Sequence, residues 1–484
     1  MIMTLRRRFA SALLATLVAS ASSSAQNQPP AELTLEQCIA RALQKNFDLE
    51  AQRFSPQIAQ DSIDVARDGY QPQLSVTSSR SGSSQSGLGT NASSTRVAVT
   101  QQLYSGTTFS VSSELNRSRL SPPVTVPNPA YNADLTVSVR QQLLKGFGTE
   151  VNQAAVNRAK IGYDKANLDY KVAVLNVIQN TENAFYNVVF AREQYDVRKS
   201  SLALAQRLYD EAESRRNVGV ATDLDVLQAS VGVATARRGV LLGAQAQKDS
   251  EQALLALIGQ FELDAPLGPT HFKDIDEALP VFASSYQAAK MNQPDYLSAQ
   301  AAIEQAKLDL IVAKNGARPS LSVGGAVGFN GHRGSGGDAL SDAFDRENNS
   351  WQVDVALTYP WGQVGDRARY RQSLATLSQQ QTRLHQLEQS IEAQVRSAVR
   401  AVETNLETVK IAVQGTELAV RQYELQKAKF DAGLATSRDV LQAQTDLETA
   451  RVNELQSKVG LRTSISSLHR IEGSSLTRYA ATAP

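Results

Sequence analysis

The chain carries one cysteine, four histidines and three methionines in 484 residues, and these shortages exclude several kinds of function. With Cys38 alone no intramolecular disulfide can form, and no cysteine framework for a structural metal exists. His271, His332, His385 and His469 stand singly, without the His-x-x-x-His spacing of a metal site, and no Gly-x-Ser-x-Gly elbow is present. No catalytic residue, cofactor or resident metal is therefore expected. Charge of one sign is also missing. Lysine plus arginine number 49 against 48 acids, a net of +1 that offers no footprint for nucleic acid. Aromatics make up 6%, and Ala, Gln, Ser and Val fill long stretches, a composition that lets helices lie close together.

Long hydrophobic runs are absent beyond the N-terminus. There, Arg6-Arg7-Arg8 precede an apolar run over residues 9–21, and Ser23-Ser24-Ala25 offers a small-x-small cleavage site. Residues 1–25 read as a signal peptide, the run being too short for a membrane anchor. Its removal takes away three arginines and no acid, turning the net charge from +1 to −2. Of the methionines only Met291 then remains, which argues against a methionine-lined route for soft metals. Cys38 lies inside a helical pattern after Thr34-Leu35-Glu36-Gln37, so it reads as a core thiol rather than a lipid-modified terminus.

What is present is a repeat. Residues 215–229, RRNVGVATDLDVLQA, match residues 429–443, KFDAGLATSRDVLQA, at an ungapped offset of 214 that also pairs Tyr209 with Tyr423 and Gly259 with Gly473. Two copies of one unit follow from that. In each copy a helical stretch runs into a glycine, Gly219 or Gly433, and a threonine then precedes an acid by three residues. The pattern predicts a helical hairpin tip, closed by Gly at one helix end and opened by Thr222 with Asp225, or Thr436 with Asp439, as capping boxes. Glu or Gln is usual at that third position, so Asp is a short substitute.

The remaining segments fall into order around the tips. Residues 26–71 show helical apolar spacing (Leu35, Ile39, Leu43), and 283–318 repeat them with Pro294 placed to open a helix, which puts a break at Asn46 in the first copy. Strands are expected in 72–146 and 319–361, starting after Pro72 and Pro319, each pair separated by a polar loop at 78–94 or 324–350. Residues 331–337, GHRGSGG, lack the spacing of a phosphate loop and read as plain loop. The offset here is 247 rather than 214. The first copy thus carries 33 extra residues, read as one inserted hairpin because Val97-Ala-Val-Thr-Gln-Gln is echoed by Val137-Ser-Val-Arg-Gln-Gln. Long helical hairpins follow at 147–259, with a tip near 217–222, and at 362–472, with a tip near 431–436. Each long helix should span on the order of 100 Å. Residues 260–282 form a Pro- and Gly-punctuated linker, and 473–484 a tail.

Strands cross a membrane only as a closed barrel, since every backbone group must be paired. One chain has too few strands to close, and the internal pseudo-repeat suits a ring of three. The predicted fold class is a mixed α and β membrane protein, a trimeric transmembrane β-barrel continued by a long periplasmic α-helical barrel. Leu33 to Leu49 (LTLEQCIARALQKNFDL), both DVLQA tips and QQLLKGFG (141–148) leading into a long helix resemble the TolC family of outer-membrane export ducts, over nearly the whole chain.

That resemblance implies a homotrimer in the bacterial outer membrane, in contact with its lipid. It also implies a periplasmic adaptor meeting the tip turns Val218-Gly219-Val220-Ala221 and Ala432-Gly433-Leu434-Ala435, and through the adaptor an inner-membrane pump. The family ties its closed aperture with a Tyr and an Arg, where this chain has Phe430 and Ala435, and Gln442 stands where some members place a gate acid. Asp439, Gln442 and Asp446 share one helix face by spacing. Facing a threefold bore, with Asp225 nearby, they would form acidic rings whose mutual repulsion raises their pKa values. Capping is the competing role for Asp225 and Asp439. The alternative to an export duct is a structural or adhesive envelope trimer, which bulky apolar residues along the bundle axis would favour.

Overall fold

The computed structural model describes residues 33–479 apart from 86, 124, 260–266, 271, 273–278 and 346–347. The expected signal peptide, His271, most of the linker and the last five residues of the tail lie outside the described residues. Two helices open the chain, α1 (Leu35–Lys45) and α2 (Phe47–Asp68), followed by β1 (Gln73–Gln85), β2 (Leu88–Gln102), β3 (Thr107–Ser121) and β4 (Ala130–Gln142). A single turn, α3 (Thr149–Asn152), leads into α4 (Ala154–Asn217), which doubles back as α5 (Asp223–Leu257). The second copy holds α6 (Phe282–Asn292), α7 (Pro294–Gly316), β5 (Ser320–Arg333), α8 (Gly336–Asp345), β6 (Asn349–Thr358), α9 (Val364–Asp431) and α10 (Ser437–Glu472), and α11 (Ser474–Arg478) ends the described chain.

The break in the first copy falls at Asn46, whose side chain accepts from the Leu49 amide at 3.1 Å and donates to the Leu257 carbonyl at 3.1 Å. In the second copy Gln293 takes that place and Pro294 opens α7 at its first position. α4 and α9 run for 64 and 68 residues, roughly 95 and 100 Å at 1.5 Å per residue. Neither could stand alone in water. Val174, Val177, Ile178, Thr181, Phe185 and Val188 bury two edges of α4, and Ile391, Val395, Val399 and Val402 bury one of α9. In the half nearest the hairpin tips the helices stand side by side as α5, α4, α10, α9; nearer the sheet the order is α2, α4, α7, α9. Of the 260–282 linker, residues 267–270 pack on α4, where Arg192 donates to the Leu267 and Gly268 carbonyls.

The six strands pair antiparallel in chain order, in one sheet from β1 to β6. Residues paired across strands share a face, so rows can be read through the register. Leu74, Val99, Val111, Val137, Val327 and Trp351 form one row; the adjacent row on the other face is Ser75, Ala98, Ser112, Thr136, Gly328 and Ser350. One face is thus apolar and the other polar. The inserted segment joins the sheet, with β3 paired on both sides. The polar stretches expected as loops do not form them. Ser78 to Gln85 continue β1 and pair with Leu88 to Thr95 of β2, while β5 runs on to Arg333. Hydropathy could not show this, because the end of β1 is polar on both faces and exposed throughout. Residues 331–337, read as loop, are the end of β5 and the start of α8.

Candidate functional site at the hairpin tips

Both tips are built the same way. At the end of α4 the Val220 amide donates to the Arg215 carbonyl at 2.9 Å and the Gly219 amide to Arg216 at 2.9 Å; at the end of α9 Leu434 donates to Lys429 at 2.8 Å and Gly433 to Phe430 at 3.0 Å. These are paired Schellman closures, which need a left-handed residue after the helix. Gly219 and Gly433 supply it, with φ of +82° and +76°. Three residues on, Thr222 and Thr436 cap α5 and α10. The short Asp serves as well as Glu would: Oδ2 of Asp225 accepts from the Thr222 amide at 2.9 Å and its hydroxyl at 2.6 Å, and Oδ2 of Asp439 accepts from Thr436 at 2.9 and 2.8 Å.

These bonds set the charge state of the two acids. Thr222's hydroxyl and amide hold the Asp225 carboxyl below the usual carboxylate range against the opposing effect of burial, with a smaller contribution from the Ser437 hydroxyl. The amide and hydroxyl of Thr436 do the same for Asp439. Within one chain the shifts therefore run opposite to the rise expected of facing acidic rings, because each carboxylate is already satisfied by its cap. Asp446 is placed otherwise, accepting from Gln442 Nε2 at 2.9 Å. Asp439, Gln442 and Asp446 lie on one exposed side of α10, with Val440, Ala443 and Leu447 buried opposite.

The two tips are joined by contacts that sequence reasoning missed. Arg215 Nη1 donates to the Phe430 carbonyl at 2.9 Å, its guanidinium lies 4.1 Å over the Phe430 ring, and Nη2 reaches Glu211 at 2.7 Å and Asp431 at 3.6 Å. Phe430 is buried with Leu208 and Val440, against Ala435 and Tyr423. Phe430 and Ala435 are thus used for packing between the copies of one chain. Deeper in, Gln444 donates to the Ser201 carbonyl at 2.6 Å, and Ser201 donates to Glu448 at 2.6 Å. The signal available was asymmetry: Arg215-Arg216 answers to Lys429-Phe430 at the repeat offset, one of the few places near the tips where the copies differ in chemistry. Beyond these joints the turns stand free, Val218, Val220 and Leu434 being 72%, 74% and 79% exposed.

A pair of identical free turns about 100 Å from one end of a six-stranded sheet, apolar on one face, is a shape with known counterparts. The family model for outer membrane efflux proteins matches residues 38–260 and 285–474. The chain belongs to the outer membrane efflux protein family. It is 25% identical over 351 residues to the pyoverdine export outer membrane protein OpmQ of Pseudomonas putida, covering 69% of each chain. To the outer membrane protein TolC of Escherichia coli it is 22% identical over 376 residues, 71% of this chain and 75% of that one. The structure of the outer membrane protein VceC of Vibrio cholerae shares the fold, with a TM-score of 0.69 at 17% identity over 91% of this chain and 96% of the other. As an outer membrane efflux protein the chain is an exit duct of the outer membrane and not an enzyme. Among the described residues no helix is long and apolar enough to cross a membrane.

Proposed function

We propose that three copies close into one duct, with an eighteen-stranded barrel in the outer membrane, and that its tips meet a periplasmic adaptor serving an inner-membrane pump. The observation that carries this is a set of open edges. Among the described residues β1 and β6 each lack a partner on their outer side, a state that hydrocarbon does not tolerate. On the helical wall the edge helices carry bare apolar stripes at helical spacing: Phe54, Ile58 and Val65 on α2, Leu224, Leu227 and Val231 on α5, and Ile411, Leu418 and Leu425 on α9, each more than half exposed. Sheet and helices are therefore unfinished along the same two margins, and a neighbouring copy presents the matching margin to each.

The adaptor reading rests on the tips. Their turns are apolar and exposed, and an added side chain at Gly219 or Gly433 would meet nothing within 4 Å in the chain. A gate reading accompanies it: threefold symmetry turns Asp439 and Asp446 into rings if the exposed side of α10 lines the bore. Replacing Gly219 and Gly433 with valine is the test, in cells, of substrate export alongside trimer assembly. Loss of export with trimers still in the outer membrane is expected; wild-type export from the double variant would remove the tips as contacts.

A further inference from the structure

The helix α8 occurs only in the second copy and has no part in the duct or its tips. Its position on the sheet can be fixed from contacts. Ala339 and Ala343 are fully or almost fully buried against Ala133 of β4, with Leu115 and Tyr131 beside them. A side chain at Gly331 would lie 1.9 Å from the Ala339 carbonyl oxygen, so β5 and α8 touch backbone to backbone. Leu115, Ala133 and Gly331 are one register row, on the same face as Val111, Val137 and Val327. α8 therefore lies on the apolar face of the sheet, on the outside of the barrel, and not over its polar interior.

Its height follows from the same row. Ala133 is four residues beyond Val137, about 13 Å further along the strand, against a hydrocarbon half-thickness of about 15 Å. The next row on that face is Arg117, Tyr131 and Arg333, and its two arginines end the apolar band. The helix is also oriented. At about 100° per residue, Asp342 flanks the buried Ala339/Ala343 ridge on one side, and Leu340 with Phe344 on the other. Asp342 pairs with Arg333 at 2.8 Å, so its flank points to the distal end of β5. The Leu340 flank then points back toward Phe329 and the band, and Phe344 is 58% exposed there.

We propose that α8 is an interfacial helix, seated in the outer leaflet against the barrel wall, with Leu340 and Phe344 among the acyl chains and the Asp338/Asp342 side toward the headgroups and water. This rests on the closed barrel argued above, since only then does the apolar face meet lipid. A hydrophobic residue on a free helix flank, continuous with the lipid-facing band, is what such a helix presents. The occupant is bilayer lipid and not a partner protein.

The test is spin labelling of the trimer in lipid vesicles, at Phe344→Cys, Ser341→Cys and Val355→Cys in turn. The native thiol will not compete: Cys38 is fully buried, and desolvation pushes its pKa up to about 12. Val355 is on the same face, four residues from Trp351 of the Val137 row on the side away from α8, and serves as reference. The label at Phe344 is expected to relax more with oxygen than with a water-soluble nickel chelate, and the label at Ser341 the reverse. A Phe344 label favouring nickel, or shielded from both, with Val355 still in lipid, would overturn the seating of α8. A Val355 label that reports water would overturn the barrel face itself, and the proposal with it.

Discussion

Arg215 hydrogen-bonds the end of α9 from across the two copies at the tip, and removing it should loosen one tip from the other. In Arg215→Ala the charge-assisted bond to the Phe430 carbonyl is lost, worth about 1.5–3 kcal/mol where the partner is left bare. Here the carbonyl keeps its bond from Gly433, so the lower figure applies. Stacking over Phe430 adds about 0.5–1 kcal/mol. The pair with Asp431 is half exposed, at 3.6 Å, and adds little. The pair with Glu211 lies within α4 and does not couple the copies. The sum is on the order of 2 kcal/mol, a change of roughly 30-fold in the opening equilibrium of the tip.

Hydrogen exchange of the trimer reads this directly. The Gly433 and Leu434 amides, bonded to Phe430 and Lys429, should exchange faster in Arg215→Ala by about that factor, with α4 amides around Val177 unchanged. Arg215→Lys keeps the charge without the planar fork and should fall between. Unchanged exchange at Gly433 in Arg215→Ala would refute the joint and leave Phe430 packing alone as the tie.

Three further outcomes are expected. Because the bonds from Thr222 and Thr436 go to carboxylates whose pKa is lowered, their contribution is complete above the ordinary value near 4 and is lost as pH falls through the lowered one. Tip exchange, corrected for its intrinsic pH dependence, should be flat from neutral to about pH 4 and rise below; an Asp225→Asn/Asp439→Asn double variant, with no carboxylate left to titrate at either cap, should show no such rise. Glu182 is buried and accepts from Tyr479 at 2.8 Å and from Ser466, so Glu182→Ala removes both bonds and leaves the buried Ser466 hydroxyl without this acceptor, at about 1–3 kcal/mol. Faster exchange over α11 and a lower melting temperature of the trimer should follow, with Glu182→Gln milder. Asp439→Asn and Asp446→Asn should each weaken block of single-channel current by a multivalent cation added from the tip side; unchanged block in the double variant would leave Asp439 a cap and Asp446 a partner of Gln442 alone.

What could be read from the residues alone was whatever is local and repeated. The Schellman and capping geometry at 215–225 and 429–439 depends on contacts no more than five residues apart, and its second occurrence removes chance as an explanation. The break at Asn46 was visible only through its counterpart at Gln293-Pro294. Periodicity failed where a strand has no apolar face, as in the outer half of β1, whose polar residues are held by pairing with β2 rather than by burial. For the acids of α10 spacing gave the shared face and the Thr436–Asp439 cap, both of which the structure has, but not the bond from Gln442 to Asp446.

The most distant joints were hidden for a different reason, and α8 shows it best. Its residues, GGDALSDAFD, open with two glycines and bury little besides alanine, so neither propensity nor pattern marks a helix. Its partners Leu115, Tyr131 and Ala133 lie in β3 and β4, about two hundred positions earlier in the chain. The strands of one copy supply the apolar wall on which the added helix of the other rests, and Gly331 in β5 lets the two meet at backbone distance. In a chain built by doubling, symmetry thus accounts for the elements, and contacts specific to this protein concentrate where the copies differ, as they do again at Arg215 and Phe430.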